Sequence, residues 1–248
     1  MVDRIALSAN SDVDRARIKA ATAAHSGDWF HAAPIASVGL KLTDKEIRIS
    51  VAQRLEVWTC SPQTCICGKL VDARGLHGLS WKKNTPRHQR HAMLNDIIWP
   101  AIKRAQISAH KEPTGHITPG DKRPDGATLI PWSKGKPLAW DVTVPDIYAD
   151  SHINMTSSKA GVTARQTAST KNTKYIGITS THIFYPIAIE TAGSWDVQAL
   201  AVIEEIGRRI TEATEEPKET MYLFQRLSMA IQKGNALIFF NTFDKNHV

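Results

Sequence analysis

One run of seven residues, Leu138-Ala-Trp-Asp-Val-Thr-Val144, restricts the folds open to this chain more than any other. Its alternation puts Leu138, Trp140, Val142 and Val144 on one face of a strand, with Asp141 and Thr143 on the other. An acid set inside an apolar strand is costly to bury without a partner. Upstream, Pro124-Asp125 opens a shorter apolar run, and the polar turn Ser133–Lys136 separates the two. If the runs are neighbouring strands, Asp125 and Asp141 approach each other and repel unless a cation lies between them. Oxygen donors of this kind suit Mg²⁺ or Mn²⁺, with phosphate oxygens and waters completing the shell. The two aspartates are therefore expected to form a divalent-metal site for phosphodiester chemistry.

The chain has 248 residues, enough for one large domain or a modest domain with appendages. Its net charge of +7 makes polyanions plausible partners, with a mildly basic soluble protein as the plainer alternative. No run is long and apolar enough for a bilayer, so no membrane partner is expected. The N-terminus lacks a secretory apolar region, and the three cysteines, Cys60, Cys65 and Cys67, point to reduced thiols or metal. The expected setting is intracellular.

Local signals place the remaining elements. Val13 to Ala24 is expected to be a helix with little apolar face. Thr43-Asp44-Lys45-Glu46 has the form of a capping box opening a helix to about Val57. Cys60, Cys65 and Cys67 gather around a Gly-containing turn ahead of His77-Gly-Leu-Ser-Trp81. Thiolates and imidazole so grouped suit tetrahedral zinc. Trp81 stands where a knuckle would have its last cysteine, which leaves the fourth ligand open among Cys60, His88 and His91. A metal-free turn held by packing is the alternative.

Arg87-His-Gln-Arg-His91 leads into a helix over Ala92–Gln106 that Pro100 should kink or split. Arg87, Arg90, Lys103 and Arg104 would give it a basic surface, either for phosphates or merely solvated. Ile107–Glu112 reads as a strand, and Glu112 is either a third acid at the metal or a salt-bridge partner. Ser157 or Ser158 should cap a helix reaching Lys174, on which Lys171 and Tyr175, four apart, share a face. Tyr175–Ile178 and Ile183–Ile189 are strand-like, with Pro186 marking an edge or a bulge. Two helices follow, from Trp195 to Thr214 and from Lys218 to a stop at Gly234-Asn235. Leu237–Phe240 is left as a last strand or a plug.

From Cys65 to about Gly193 these motifs, in this order, resemble the C-terminal part of non-LTR retrotransposon proteins that carry a restriction-like endonuclease of the PD-(D/E)xK class. The matching residues are Cys65-x-Cys67-Gly68, His77-Gly-Leu-Ser, Arg90-His91, Glu112-Pro113, Arg123-Pro124-Asp125, Asp141-Val-Thr-Val and Lys171-x-x-Lys-Tyr175. The resemblance implies an α/β fold, a mixed sheet flanked by helices, behind an N-terminal helical and zinc-knuckle-like region. It divides the chain into a lead-in (1–58), a knuckle-like segment (59–95) and a nuclease domain (96–248). Asp125 and Asp141 correspond to the metal-binding acids. Lys171 corresponds to a displaced active-site lysine, because Thr143 occupies its usual place, and Tyr175 would support the site. Arg87, Arg90, Lys122, Arg123 and Lys174 would hold the DNA backbone. The implied activity is Mg²⁺-dependent nicking of DNA, with zinc on Cys60, Cys65, Cys67 and His77. DNA and the element's RNA are the implied partners, and the nucleus is the implied location. No reverse transcriptase is present in this chain and Trp81 departs from the knuckle pattern. A catalytically inactive nucleic-acid-binding remnant is therefore the competing expectation.

Overall fold

The computed structural model describes residues 9–113 and 123–243. It is a mixed α/β structure whose principal sheet has four strands: β3 (Ala109–Lys111), β4 (Gly126–Thr128), β5 (Leu138–Thr143) and β6 (Ile183–Ala188). They lie side by side in that order; β3, β4 and β5 run antiparallel, and β6 joins β5 in parallel. Pro186 thus lies on an edge strand, where its missing N–H is tolerated. A separate hairpin pairs β1 (Gln63–Thr64) with β2 (Leu70–Val71).

The alternation along β5 sorts its side chains as the sequence requires. Leu138, Trp140 and Val142 enter the main core. There they meet α4 (Pro86–Arg104), α7 (Val197–Thr214) and α8 (Glu219–Phe240), with Ile187 and Ile189 of the β6 segment. On the opposite face Ala139 packs with Tyr175, Ile178 and Phe184, while α6 (Val162–Lys174), a helix with few apolar residues, lies against β6 and reaches Asp141 through Lys171. Only Ala164 and Ala168 of α6 bury against Ala188. What anchors α6 is its N-terminus. Glu190, fully buried, accepts hydrogen bonds there from the backbone N–H groups of Gly161, Thr163 and Ala164 at 3.0, 3.0 and 3.2 Å. Burial raises the Glu190 pKa, and the three N–H donors oppose that rise.

The first helices, α1 (Asp12–Ala21) and α2 (Asp44–Leu55), lie near their expected places, and α2 begins with the complete Thr43–Glu46 capping box. The lead-in is not detached: Trp29, Leu40 and Leu42 form a cluster with Met229 of α8. Helix α4 spans the expected division at 95/96. Among the described residues no helix is long and apolar enough to cross a membrane.

Several sequence expectations need correction. Helix α4 starts at Pro86, whose fixed φ suits a first turn, so Arg87–His91 are helical; the helix also continues through Pro100. Ser157 and Ser158 do not cap α6. Their hydroxyls bond Asn154 O at the short helix α5 (Ile153–Thr156), and Glu190 does the capping instead. Tyr175–Ile178 contributes a 3₁₀ turn, Ile176–Ile178, not a strand. The last helix runs past Gly234-Asn235 to Phe240. Gly234 is needed there for contact, because a Cβ would lie 2.3 Å from Arg90 Cγ. Leu237–Phe240 is accordingly helical.

Cross-strand register depends on a second glycine. A Cβ on Gly126 would lie 2.0 Å from Trp140 Cζ2, so the buried indole covers the glycine opposite it. Gly126→Ala is expected to destabilise the protein by about 1–3 kcal/mol through overpacking. Thermal unfolding should show the loss, and it should shrink in a Trp140→Leu background, because the two positions share one contact.

Candidate active site

The pairing Gly126↔Trp140 and Ala127↔Ala139, continued by one residue, sets Asp125 opposite Asp141. Asp125 is held on three sides. Its N–H donates to Trp140 O at 2.9 Å, and its C=O accepts from Glu112 N at 2.9 Å and Asn95 Nδ2 at 3.1 Å. One carboxylate oxygen, Oδ2, accepts from Val142 N at 2.5 Å and lies 2.9 Å from His91 Nε2. Among the described residues nothing hydrogen-bonds the other oxygen, Oδ1.

Asp141 is 3% exposed, and both its oxygens are engaged. Lys171 Nζ donates to Oδ1 at 2.5 Å and the Tyr175 hydroxyl lies 2.6 Å from Oδ2. Lys174 Nζ stands 3.9 Å from Oδ2 and 2.9 Å from the Tyr175 hydroxyl oxygen. That hydroxyl also lies 2.6 Å from Arg123 O, which ties the end of α6 to the residues leading into Asp125. Lys171 and Tyr175 reach one carboxylate because they lie four residues apart at the end of α6.

The electrostatics are those of a shared site. The hydrogen bond that the His91 ring gives to Asp125 raises the pKa of His91 despite its burial, and the charges of both aspartates add to the rise. Burial, followed by the adjacent Asp141, raises the Tyr175 pKa, so its hydroxyl stays protonated and able to donate. Lys171, Lys174 and His91 bring positive charge to the carboxylates. The requirement for a cation near two facing acids is met here by side chains.

Other expected site residues lie elsewhere or play other parts. Glu112, at φ 48°, approaches through its backbone, while its exposed side chain makes no hydrogen bond or ion pair among the described residues. Arg90 is 1% exposed and cannot hold DNA. It precedes the buried positions Leu94, Ile98 and Ile102 on the same face of α4 and donates to Asn235 Oδ1 at 2.6 Å and Val144 O at 3.3 Å. Burial lowers its pKa to about 9, and Asp146 partly opposes this. Arg87 is half-buried and bonds Leu79 O at 3.4 Å, Arg104 pairs with the buried Glu219, and Lys103 lies over the Trp99 ring. Arg123 and Lys174 are exposed beside the cleft, and Lys122 lies outside the described residues.

Two contributors have no role in the sequence expectation for the cleft. His91 faces Asp125, and Asn95, one turn later, bonds both Asp125 O and Trp140 Nε1. Their spacing on α4 was the available signal, since residues four apart share a helix face.

A second group forms between the turn of the β1–β2 hairpin and His77, at the start of a short helix, His77–Ser80. Donor atoms of Cys65, Cys67 and His77 all lie within 4.8 Å of one another, a cluster able to hold a metal ion. Cys67 Sγ is 3.1 Å from His77 Nε2, and Cys67 N is 3.5 Å from Cys65 Sγ. Burial raises the Cys65 pKa and lowers that of His77. Cys60 is not part of this group: its thiol lies 3.5 Å from Asp72 O. No family model and no curated protein matches this chain.

In metal-free protein, the His91 ring should titrate above the usual 6.5 and return towards it in Asp125→Asn. Histidine NMR titration measures both values. Because the folded pKa is raised, the pair's stabilisation is complete below about pH 6.5 and fades as pH rises through the folded value. Wild-type protein should therefore lose more stability than Asp125→Asn across that interval.

Proposed function

We propose that this chain is a restriction-like nuclease of the PD-(D/E)xK class that hydrolyses DNA phosphodiesters with a divalent metal, together with a knuckle-like zinc region. The observation that carries this reading is the meeting of Asp125, Asp141 and Lys171 at one place, although they lie on three separate stretches of chain. Nothing local in the sequence forces that convergence. An acid pair on neighbouring strands with a lysine brought beside it by a helix is an arrangement that suits such chemistry.

The donor set suits Mg²⁺. Asp125 Oδ1 is without a protein partner among the described residues, and the carboxylate of Asp141 stands on the neighbouring strand. Bound there, Mg²⁺ would supply Lewis acidity to activate water and stabilise the departing oxygen. The side chains would supply the rest. His91 and Val142 N fix Asp125 through its other oxygen. Lys171 would offset negative charge beside the scissile phosphate, and Tyr175 would hold Asp141 in place. Arg123 and Lys174, exposed at the cleft, would contact the phosphate backbone without reading bases.

One observation favours a binding protein without catalysis. Lys171 and Tyr175 already engage both oxygens of Asp141, so the carboxylate is satisfied without a metal. Supercoiled-plasmid nicking with Mg²⁺ separates the readings. Wild-type protein should nick, and Asp125→Asn, Asp141→Asn and Lys171→Met should each lower the rate by roughly 10²–10³-fold. DNA retardation without nicking above these variants would support the binder and overturn the nuclease.

A further inference from the structure

The Cys65–Cys67–His77 cluster shares no residue with the aspartate cleft, and its chemistry can be argued independently of the nuclease reading. A frame of backbone hydrogen bonds holds it: Cys65 N donates to Lys69 O at 2.8 Å and Gly68 N to Cys65 O at 2.8 Å, folding a tight turn around the thiols. The turn brings Cys67 Sγ to 3.1 Å from His77 Nε2. Ligands at ordinary zinc bond lengths stand about 3.5 Å apart around a tetrahedron, so the spacing is close to that of a loaded site. Two thiols and an imidazole are a donor set for Zn²⁺ or a similar borderline-soft ion.

A closed four-ligand knuckle does not fit these residues. Trp81, at the position where a fourth cysteine would stand, stacks on His77 with ring centroids 6.3 Å apart. Its indole offers an N–H donor and no ligand lone pair. Each alternative donor is elsewhere: Cys60 faces Asp72 O, His91 faces Asp125, and His88 is exposed and outside the cluster. Two of the three ligands, Cys67 and His77, border a groove of about 610 Å³ that Lys69, Lys82 and Lys83 also line. Two thiolates cancel the charge of a divalent ion, so the lysines provide the attraction for an incoming anion.

We infer that Cys65, Cys67 and His77 form a three-ligand metal site whose fourth position opens on this lysine-lined groove and takes a phosphate oxyanion from outside the protein. Three protein ligands with one exchangeable position is the arrangement that leaves a bound metal able to accept a ligand. The shared chemistry is the phosphate group, whether free or within a polynucleotide.

Cobalt substitution of the reduced full-length protein tests this. Wild-type protein should bind Co²⁺ with a thiolate-to-cobalt charge-transfer band, which cobalt at Asp125 and Asp141 would not produce. Cys65→Ser and Cys67→Ser should each weaken the band, with circular dichroism checking that they remain folded, and Cys60→Ser should leave it unchanged. Inorganic phosphate should then shift the cobalt ligand-field bands saturably. Lys82→Ala/Lys83→Ala should weaken phosphate binding about tenfold, near the effect of one lost charge-assisted hydrogen bond, with cobalt stoichiometry intact. A short single-stranded oligonucleotide that shifts the same bands at lower concentration would identify polynucleotide phosphate as the source; a shift with inorganic phosphate alone would identify the free anion. Absence of the charge-transfer band, its loss in Cys60→Ser, or ligand-field bands indifferent to both probes would each overturn the inference.

Discussion

The Trp140 indole is the joint on which the rest of the site depends. It is fully buried, it lies over Gly126, and its N–H donates to Asn95 Oδ1 at 2.9 Å. The first contact fixes which residues of β4 and β5 face each other. The second ties that pair of strands to α4, and Asn95 then reaches on to Asp125 O. A one-residue slip would exchange the two faces of β5 and bring Asp141 into the apolar core. The large apolar ring on one face therefore determines where the acids on the other face stand.

Much of this arrangement is legible in the sequence because it follows from period and turn chemistry. The alternation in Leu138–Val144 gives the two faces of β5, the Thr43–Glu46 capping box gives the start of α2, and Pro186 gives an edge strand. The meeting of Asp125, Asp141 and Lys171 depends instead on long-range packing, and the residues could only suggest it. The failures have a common cause. Gly234 and Ser157 carry strong local signals, a helix stop and a cap, and tertiary contacts override both. Arg90 presses on Gly234, and Glu190 reaches α6 from another segment. His91 and Arg90 are adjacent in sequence, but on a helix adjacent residues point to different surroundings. One serves the cleft and the other the core.

Arg90 shows how much polar structure lies beneath the cleft. Its guanidinium bonds Asn235, whose amide donates to Thr191 O at 2.7 Å, and the Thr191 hydroxyl donates to Asp146 Oδ1 at 3.0 Å. Burial raises the pKa of Asp146 as it lowers that of Arg90. Such a chain contributes little net stability compared with apolar packing, but removing one member leaves the others buried without partners. It connects α4, α8 and the loop after β6 through directional bonds.

Helix α6 is fastened differently. Glu190 grips its N-terminus and Asp141 meets lysines at its C-terminus, while its middle buries little more than two alanines. The charges at both ends complement the helix dipole. With so little apolar contact along its flank, the helix depends for its position on the polar bonds at its ends and on the Asn172–Gln198 hydrogen bond to α7. Lys171 and Tyr175 sit at its far end, so the side chains that shield Asp141 are placed by a helix whose other end is set by Glu190.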